Sequence, residues 1–188
     1  MDQDLTQFRL ETERLLLIPI TMDYAEVIFD EFTPEVTFYM HPRSPHRIEE
    51  TIHFIRESLI GLERGTNLQL VVLKKETLEF LGCTGLHDLS SRVPEFGIWL
   101  KQSAHGHGFG MEAIVALHHW AMEHLEFEYI KYPVDEENYA SRRIPEALKG
   151  VIGREYQVMS LNNRRLFILE YRFYPEPNVA EKQFEQTE

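Results

Sequence analysis

A chain of 188 residues with 43% hydrophobic and 27% charged side chains has the make-up of a globular protein and the length of one domain with a sizeable core. Its formal net charge of −12 argues against direct nucleic-acid or acidic-membrane binding and suits cationic partners such as amines. A single cysteine, Cys83, excludes an intramolecular disulfide framework and fits a reducing compartment.

No apolar run reaches membrane-spanning length. Leu15 to Ile18 is too short and too far in for a signal peptide, so a cytoplasmic location is expected. One domain is expected over residues 1–174, followed by a polar tail over 175–188 that is loosely docked or poorly ordered.

Arg14 to Ile20 is leucine-rich and reads as a first strand. Tyr24, Val27 and Ile28 fall at helical spacing within Asp23 to Glu31. Three prolines stiffen Thr33 to His46, and Ser44-Pro45 is the expected start signal of the next helix. The apolar stripe of that helix is Ile48, Ile52, Ile55, Leu59 and Leu62, closed by Gly65. Leu68 to Leu73 and Phe80 to Leu86 read as a hairpin. A further strand, Glu95 to Leu100, puts Phe96, Ile98 and Leu100 on one face and Glu95, Gly97 and Trp99 on the other.

A long apolar helix from about Met111 to Leu125 leaves few positions for solvent and has to pack on a sheet. Tyr129 to Val134 is the next strand, and Pro133 inside it requires one unpaired side. A helix from about Asn138 is interrupted by Pro145, which predicts a kink. Val151 to Val158 and Arg165 to Tyr174 are two more strands. The order β α α β β β α β α β β describes a mixed α+β chain.

The connection Lys101 to Glu112 carries Gly106, Gly108 and Gly110 at every second position. Glycines there let the backbone turn through positive φ, and the first amides of the following helix lack intrahelical partners. Together they form an anion site at the positive end of a helix dipole. On glycine spacing alone, a flexible turn accounts for them equally well.

Three segments carry a resemblance to a known family. They are Glu95-Phe96-Gly97-Ile98-Trp99-Leu100, then His105-Gly106-His107-Gly108-Phe109-Gly110-Met111-Glu112-Ala113, then Asp135-Glu136-Glu137-Asn138-Tyr139-Ala140-Ser141-Arg142-Arg143. They resemble the Gcn5-related N-acetyltransferase (GNAT) superfamily, in its RimJ/RimL-like branch, as does the opening Leu10 to Leu17. The resemblance implies a central, mostly antiparallel mixed sheet, flanked by helices and splayed between the strands near 95–100 and 129–134. It implies acetyl-CoA as donor, no metal, and direct transfer in a ternary complex to a primary amine on a small molecule or a protein N-terminus. A homodimer is left open. An acyl-CoA-binding sensor or partner-binding module without turnover is the alternative on the same fold.

The resemblance also assigns residues. Ile98, Trp99 and Leu100 would meet the pantetheine, and His105, Gly106, His107, Gly108, Phe109, Gly110 and Met111 would hold the pyrophosphate. Asn138 would contact the pantetheine or cap its helix. Ser141 would lie near the sulfur as a proton donor, or bond its own helix backbone. Glu95 is the leading base for the amine, with a structural ion pair as its other reading; His87, Asp88 and His41 are weaker candidates. The family usually carries Arg or Gln where this chain has His105, and imidazole is a shorter, weaker holder of phosphate charge. The histidines His105, His107, His118, His119 and His124 do not converge as a metal set.

Overall fold

The computed structural model describes residues 4–175. The polar tail expected beyond Pro175 lies outside the described residues. One eight-stranded sheet runs through the molecule in the order β1-β2-β3-β4-β5-β6-β8-β7. Its strands are β1 (Leu10–Glu11), β2 (Leu15–Pro19), β3 (Leu68–Lys74), β4 (Phe80–His87), β5 (Glu95–Leu100), β6 (Ile130–Asp135), β7 (Val151–Met159) and β8 (Arg165–Phe173). Four α-helices flank it: α1 (Ala25–Glu31), α2 (Ile48–Glu63), α3 (Phe109–His124) and α4 (Tyr139–Ala147). Every neighbouring pair is antiparallel except β5 and β6. A parallel pair needs a crossover, and α3 supplies it.

The core follows from burial on both faces. Leu68 to Leu73 are all buried, and Leu15, Leu17, Leu70, Ile114 and Leu117 are closed off from solvent. A strand covered on both sides loses the polar alternation of a half-exposed one, which is why β3 reads as a continuous apolar run. Helices α1 and α2 pack on one face, over β3 and β4, and α3 and α4 on the other, α3 over β2, β4 and β5 and α4 over β6. The start of α3 lies against β5 and α4: a Cβ at Gly110 would stand in ordinary contact, 3.6 Å from both Leu100 Cδ1 and Ile144 Cδ1.

Three details depart from the sequence expectation. The two-residue β1 was not foreseen, because so short a run has no detectable period. Ser44-Pro45 does not start α2, whose N-cap is Arg47 with no side-chain cap bond. Instead the Glu50 carboxylate accepts the His46 amide at 3.2 Å and the Arg43 guanidinium at 2.8 Å, fastening the proline-rich segment to the first turn of α2. Finally, α4 continues past Pro145 and ends at Ala147.

Candidate active site

Strands β5 and β6 are sheet neighbours, yet only Glu95 and Lys131 pair across them. At that point the Lys131 amide donates to the Pro94 carbonyl at 2.9 Å, and the Lys131 ammonium meets the Glu95 carboxylate at 3.0 Å. Backbone alternation then directs the amide of residue 133 to the same side. That residue is proline, so the next bond of the ladder has no donor. The strands part from there.

The Lys101 amide donates to Leu81 of β4. By the same alternation, the backbone groups of Phe96, Ile98 and Leu100 face β6, whereas those of Gly97 and Trp99 face β4; the Phe96 amide is taken up by the bridge to Lys131, and the gap lies beyond it. Backbone groups left unpaired at an internal strand edge require another partner. The Trp99 ring turns away from the gap, packing on Phe32 and Phe80 at centroid separations of 4.8 and 5.9 Å.

The gap forms a cavity of about 430 Å³ reached from both faces of the sheet. Asn138, Ser141 and Tyr132 border it on the α3/α4 side, and Met40, His41 and Pro42 on the α1/α2 side. Asn138 caps α4, its side chain accepting the Ser141 amide at 3.2 Å, so the capping reading holds. The Ser141 hydroxyl lies 2.8 Å from the Tyr132 hydroxyl. Burial pushes the Tyr132 phenol up to about 12, against a smaller opposing pull from the Ser141 hydrogen bond. This tyrosine was missed in the sequence; it sits one residue before Pro133, with no pattern tying it to Ser141.

At the mouth of the gap the chain turns into α3. Gly106 and Gly108 have φ of +78° and +79°, a region that residues with a Cβ rarely enter. Among the described residues, the amides from Gly106 through Met111 donate to no protein acceptor; the first to do so is Glu112, to the Gly108 carbonyl at 3.1 Å. A run of free amides at a helix N-terminus is suited to a phosphate. His105 is exposed, and its ring bonds back to the chain: Nε2 is 2.8 Å from the Leu100 carbonyl, which requires Nε2–H to donate.

The turn is clamped from the start of β2. Glu112 accepts the Thr12 hydroxyl at 2.5 Å, the Arg14 amide at 2.9 Å and Arg14 Nε at 2.7 Å. Arg14 Nη1 also donates to the His107 carbonyl at 3.1 Å, and its guanidinium lies 4.7 Å from the centre of the Phe109 ring. Burial acts to raise the Glu112 pKa, but these donors together hold it below the usual carboxylate value.

A second cavity, of about 310 Å³, adjoins the gap at Gly97 and Ile98 on the α1/α2 side. Ile28, Phe32, Phe54 and Trp99 make it apolar; Gln69, Thr84 and His87 are its inner polar groups. Cys83 also lines it, buried, with its thiol pKa pushed well above the ordinary value by that burial. Among the described residues no group of three or more His, Cys, Asp or Glu is placed to hold a metal. No helix among them is long and apolar enough to cross a membrane.

A parted parallel strand pair, with a phosphate-ready turn at its mouth and openings on both faces, defines an acyl-CoA transferase of the splayed-sheet class. Comparison with known proteins agrees. Residues 14–151 match the acetyltransferase (GNAT) domain family. The uncharacterized N-acetyltransferase YoaA of Bacillus subtilis strain 168 is 30% identical over 138 residues, covering 72% of this chain and 78% of that protein. The ribosomal-protein-S5-alanine acetyltransferase from Vibrio fischeri shares the fold with a TM-score of 0.78, at 15% identity over 90% of this chain and 98% of that one. So does the microcin C7 self-immunity acetyltransferase MccE, solved with acetyl-CoA and AMP, with a TM-score of 0.76, at 16% identity over 87% and 93% of the two chains. The chain belongs to the GNAT acetyltransferase family. It is an acyltransferase whose donor is acetyl-CoA, and the unpaired β5 amides and the free amides of the turn fit that donor.

Replacing Glu112 by Gln removes the charge that gathers Thr12 and Arg14 under the turn. We expect a loss of about 2 kcal/mol of stability at pH 7 and a several-fold weaker dissociation constant for acetyl-CoA. Because the folded-state pKa is depressed, the stabilisation is fully present above 4.5 and is lost as pH falls through the lower folded value. Chemical denaturation at pH 7 and pH 3 checks this: a difference between the two proteins that is equally large at both pH values contradicts it.

Proposed function

We propose that this acetyltransferase passes the acetyl group directly from acetyl-CoA to a primary amine carried on an apolar group, the two substrates meeting across the gap between β5 and β6. The observation that carries the reading is that the gap opens on both faces of the sheet. Donor pantetheine and acceptor amine then approach from opposite sides without competing for space. The acceptor chamber is walled by aromatic and aliphatic side chains, which favours an apolar substituent over a polyamine despite the acidic overall charge.

Each chemical demand has a candidate group. The thioester oxygen becomes an oxyanion on attack, and the Ile98 amide, directed into the gap and unpaired by β6, can stabilise it. The leaving thiolate needs a proton, for which Ser141 on the opposite wall is the proton donor, its hydroxyl oriented by the buried Tyr132 hydroxyl 2.8 Å behind it. Tyr132 stays protonated through the neutral range because burial raises its pKa. Glu95 is held in its ion pair with Lys131 at the fork of the strands. An acyl-CoA-binding module without turnover has less in its favour, since the family is one of acetyltransferases and the gap is open to a second substrate.

Free thiol release from acetyl-CoA, measured with 2-phenylethylamine, putrescine and a short peptide with a lysine-rich N-terminus, tests the acceptor class. We expect the arylalkylamine to exceed putrescine by roughly tenfold or more in kcat/KM; the reverse order contradicts an apolar acceptor. Tight CoA binding with no thiol release from any amine would restore the non-catalytic module. In the same assay Ser141→Ala should lower kcat by about 100-fold with little change in the KM for acetyl-CoA. A kcat within two-fold of the parent removes Ser141 from proton transfer.

A further inference from the structure

Among the titratable side chains lining the acceptor chamber, His87 is the imidazole that the steps above leave unused. His87 ends β4 and stands opposite Glu95 in the β4–β5 register. Two residues along, Gly85 faces Gly97, so neither strand places a side chain between the His87–Glu95 row and the Cys83–Trp99 row. The imidazole leans into that space: a Cβ built on Gly97 would lie 2.7 Å from His87 Nε2. Gly97 precedes Ile98, whose amide faces the gap, so the ring lies beside the channel joining chamber to gap. Among the described residues, no hydrogen bond occupies either ring nitrogen.

Resting on the acetyl-transfer reading above, we propose that His87 is the base that takes the proton from the incoming ammonium. The charged groups around it are few. Glu95 on β5 and Asp88 beside it in the chain favour its protonated form, but burial outweighs both and holds its pKa below the ordinary imidazole value. Glu95 is itself paired with Lys131 of β6, and Arg43 and Glu50 at the chamber rim are paired with each other at 2.8 Å. His41 borders the gap from the covering loop. Near neutral pH the ring is therefore an unprotonated acceptor with a free lone pair, whereas Glu95 is engaged by a cation.

The protons balance. Nε2 takes one proton from R–NH3⁺ and releases it to water. The neutral nitrogen attacks the thioester carbon, forming the C–N bond, and collapse of the intermediate breaks the C–S bond. The thiolate takes the Ser141 hydroxyl proton, and the second proton lost by nitrogen as the amide forms restores that hydroxyl.

The test is the pH dependence of kcat/KM with 2-phenylethylamine for the parent, His87→Gln and Glu95→Gln, with acetyl-CoA affinity of each protein measured alongside. A base that accepts the ammonium proton gives the parent a plateau between the imidazole and amine pKa values, with an acid limb below about 6.5. In His87→Gln we expect that plateau to vanish, kcat/KM to rise about tenfold per pH unit with the free amine, and activity at pH 7 to fall about 100-fold. Glu95→Gln should keep the plateau, and acetyl-CoA affinity should stay within two-fold in both. A His87→Gln profile that retains the plateau, or a Glu95→Gln profile that loses it, overturns the assignment. So does a parent profile with no plateau at all, which needs no variant to fold. No thiol release from any amine by the parent would instead overturn the acetyl-transfer reading on which the assignment rests.

Discussion

The site depends on a single interrupted ladder. β5 and β6 are held together at one pairing, reinforced by the Glu95–Lys131 contact, and released where Pro133 has no amide to give. Had that residue carried an N–H, the Phe96 carbonyl would have a partner and the parallel pair could extend. Because it does not, β6 offers no partner to the Ile98 backbone or to the Leu100 amide inside the molecule, and such groups require partners. We propose that a pantetheine arm supplies them, which would make the defect in the sheet the donor-binding surface.

Two further constraints turn that defect into a directed site. The anion turn is not left to glycine flexibility: Glu112 fastens it to Thr12 and Arg14, which lie about a hundred residues earlier in the chain. Gly110 packs on Leu100 and Ile144, where the start of α3 lies against β5 beside the gap. On the other face, facing glycines on β4 and β5 leave bare backbone where side chains would otherwise stand. The apolar chamber fills that space and His87 borders it. Donor and acceptor faces are therefore shaped by the same two strands.

Much of this was legible in the sequence, and the rest was not for a definite reason. The faces of Glu95–Leu100, the glycine turn, the covered helix α3 and the consequence of Pro133 are all local, resting on period and on the special chemistry of glycine and proline. Asn138 was legible too, as a cap three residues before Ser141. What stayed hidden joins residues without a shared period. The Tyr132–Ser141 contact crosses from a strand to a helix, and the Arg14–Glu112 clamp joins residues 98 positions apart. Gly85 faces Gly97 only once strand register is known. His105 stood out by its departure from the family, but its ring bonds the Leu100 carbonyl, and the free amides beside it are the groups available to the phosphates. Trp99, grouped with the donor site by its place on β5, belongs by its ring to the acceptor face.

We assign the donor site to the opening between β5 and β6. A crystal structure of the chain with acetyl-CoA measures this most directly. The account predicts the pantetheine lying between the two strands and bonded to the β5 backbone, with the pyrophosphate on the amides of residues 106–111 and the thioester carbonyl at the Ile98 amide. Acetyl-CoA bound elsewhere, with β5 and β6 closed into a continuous parallel pair beyond Glu95, would contradict it.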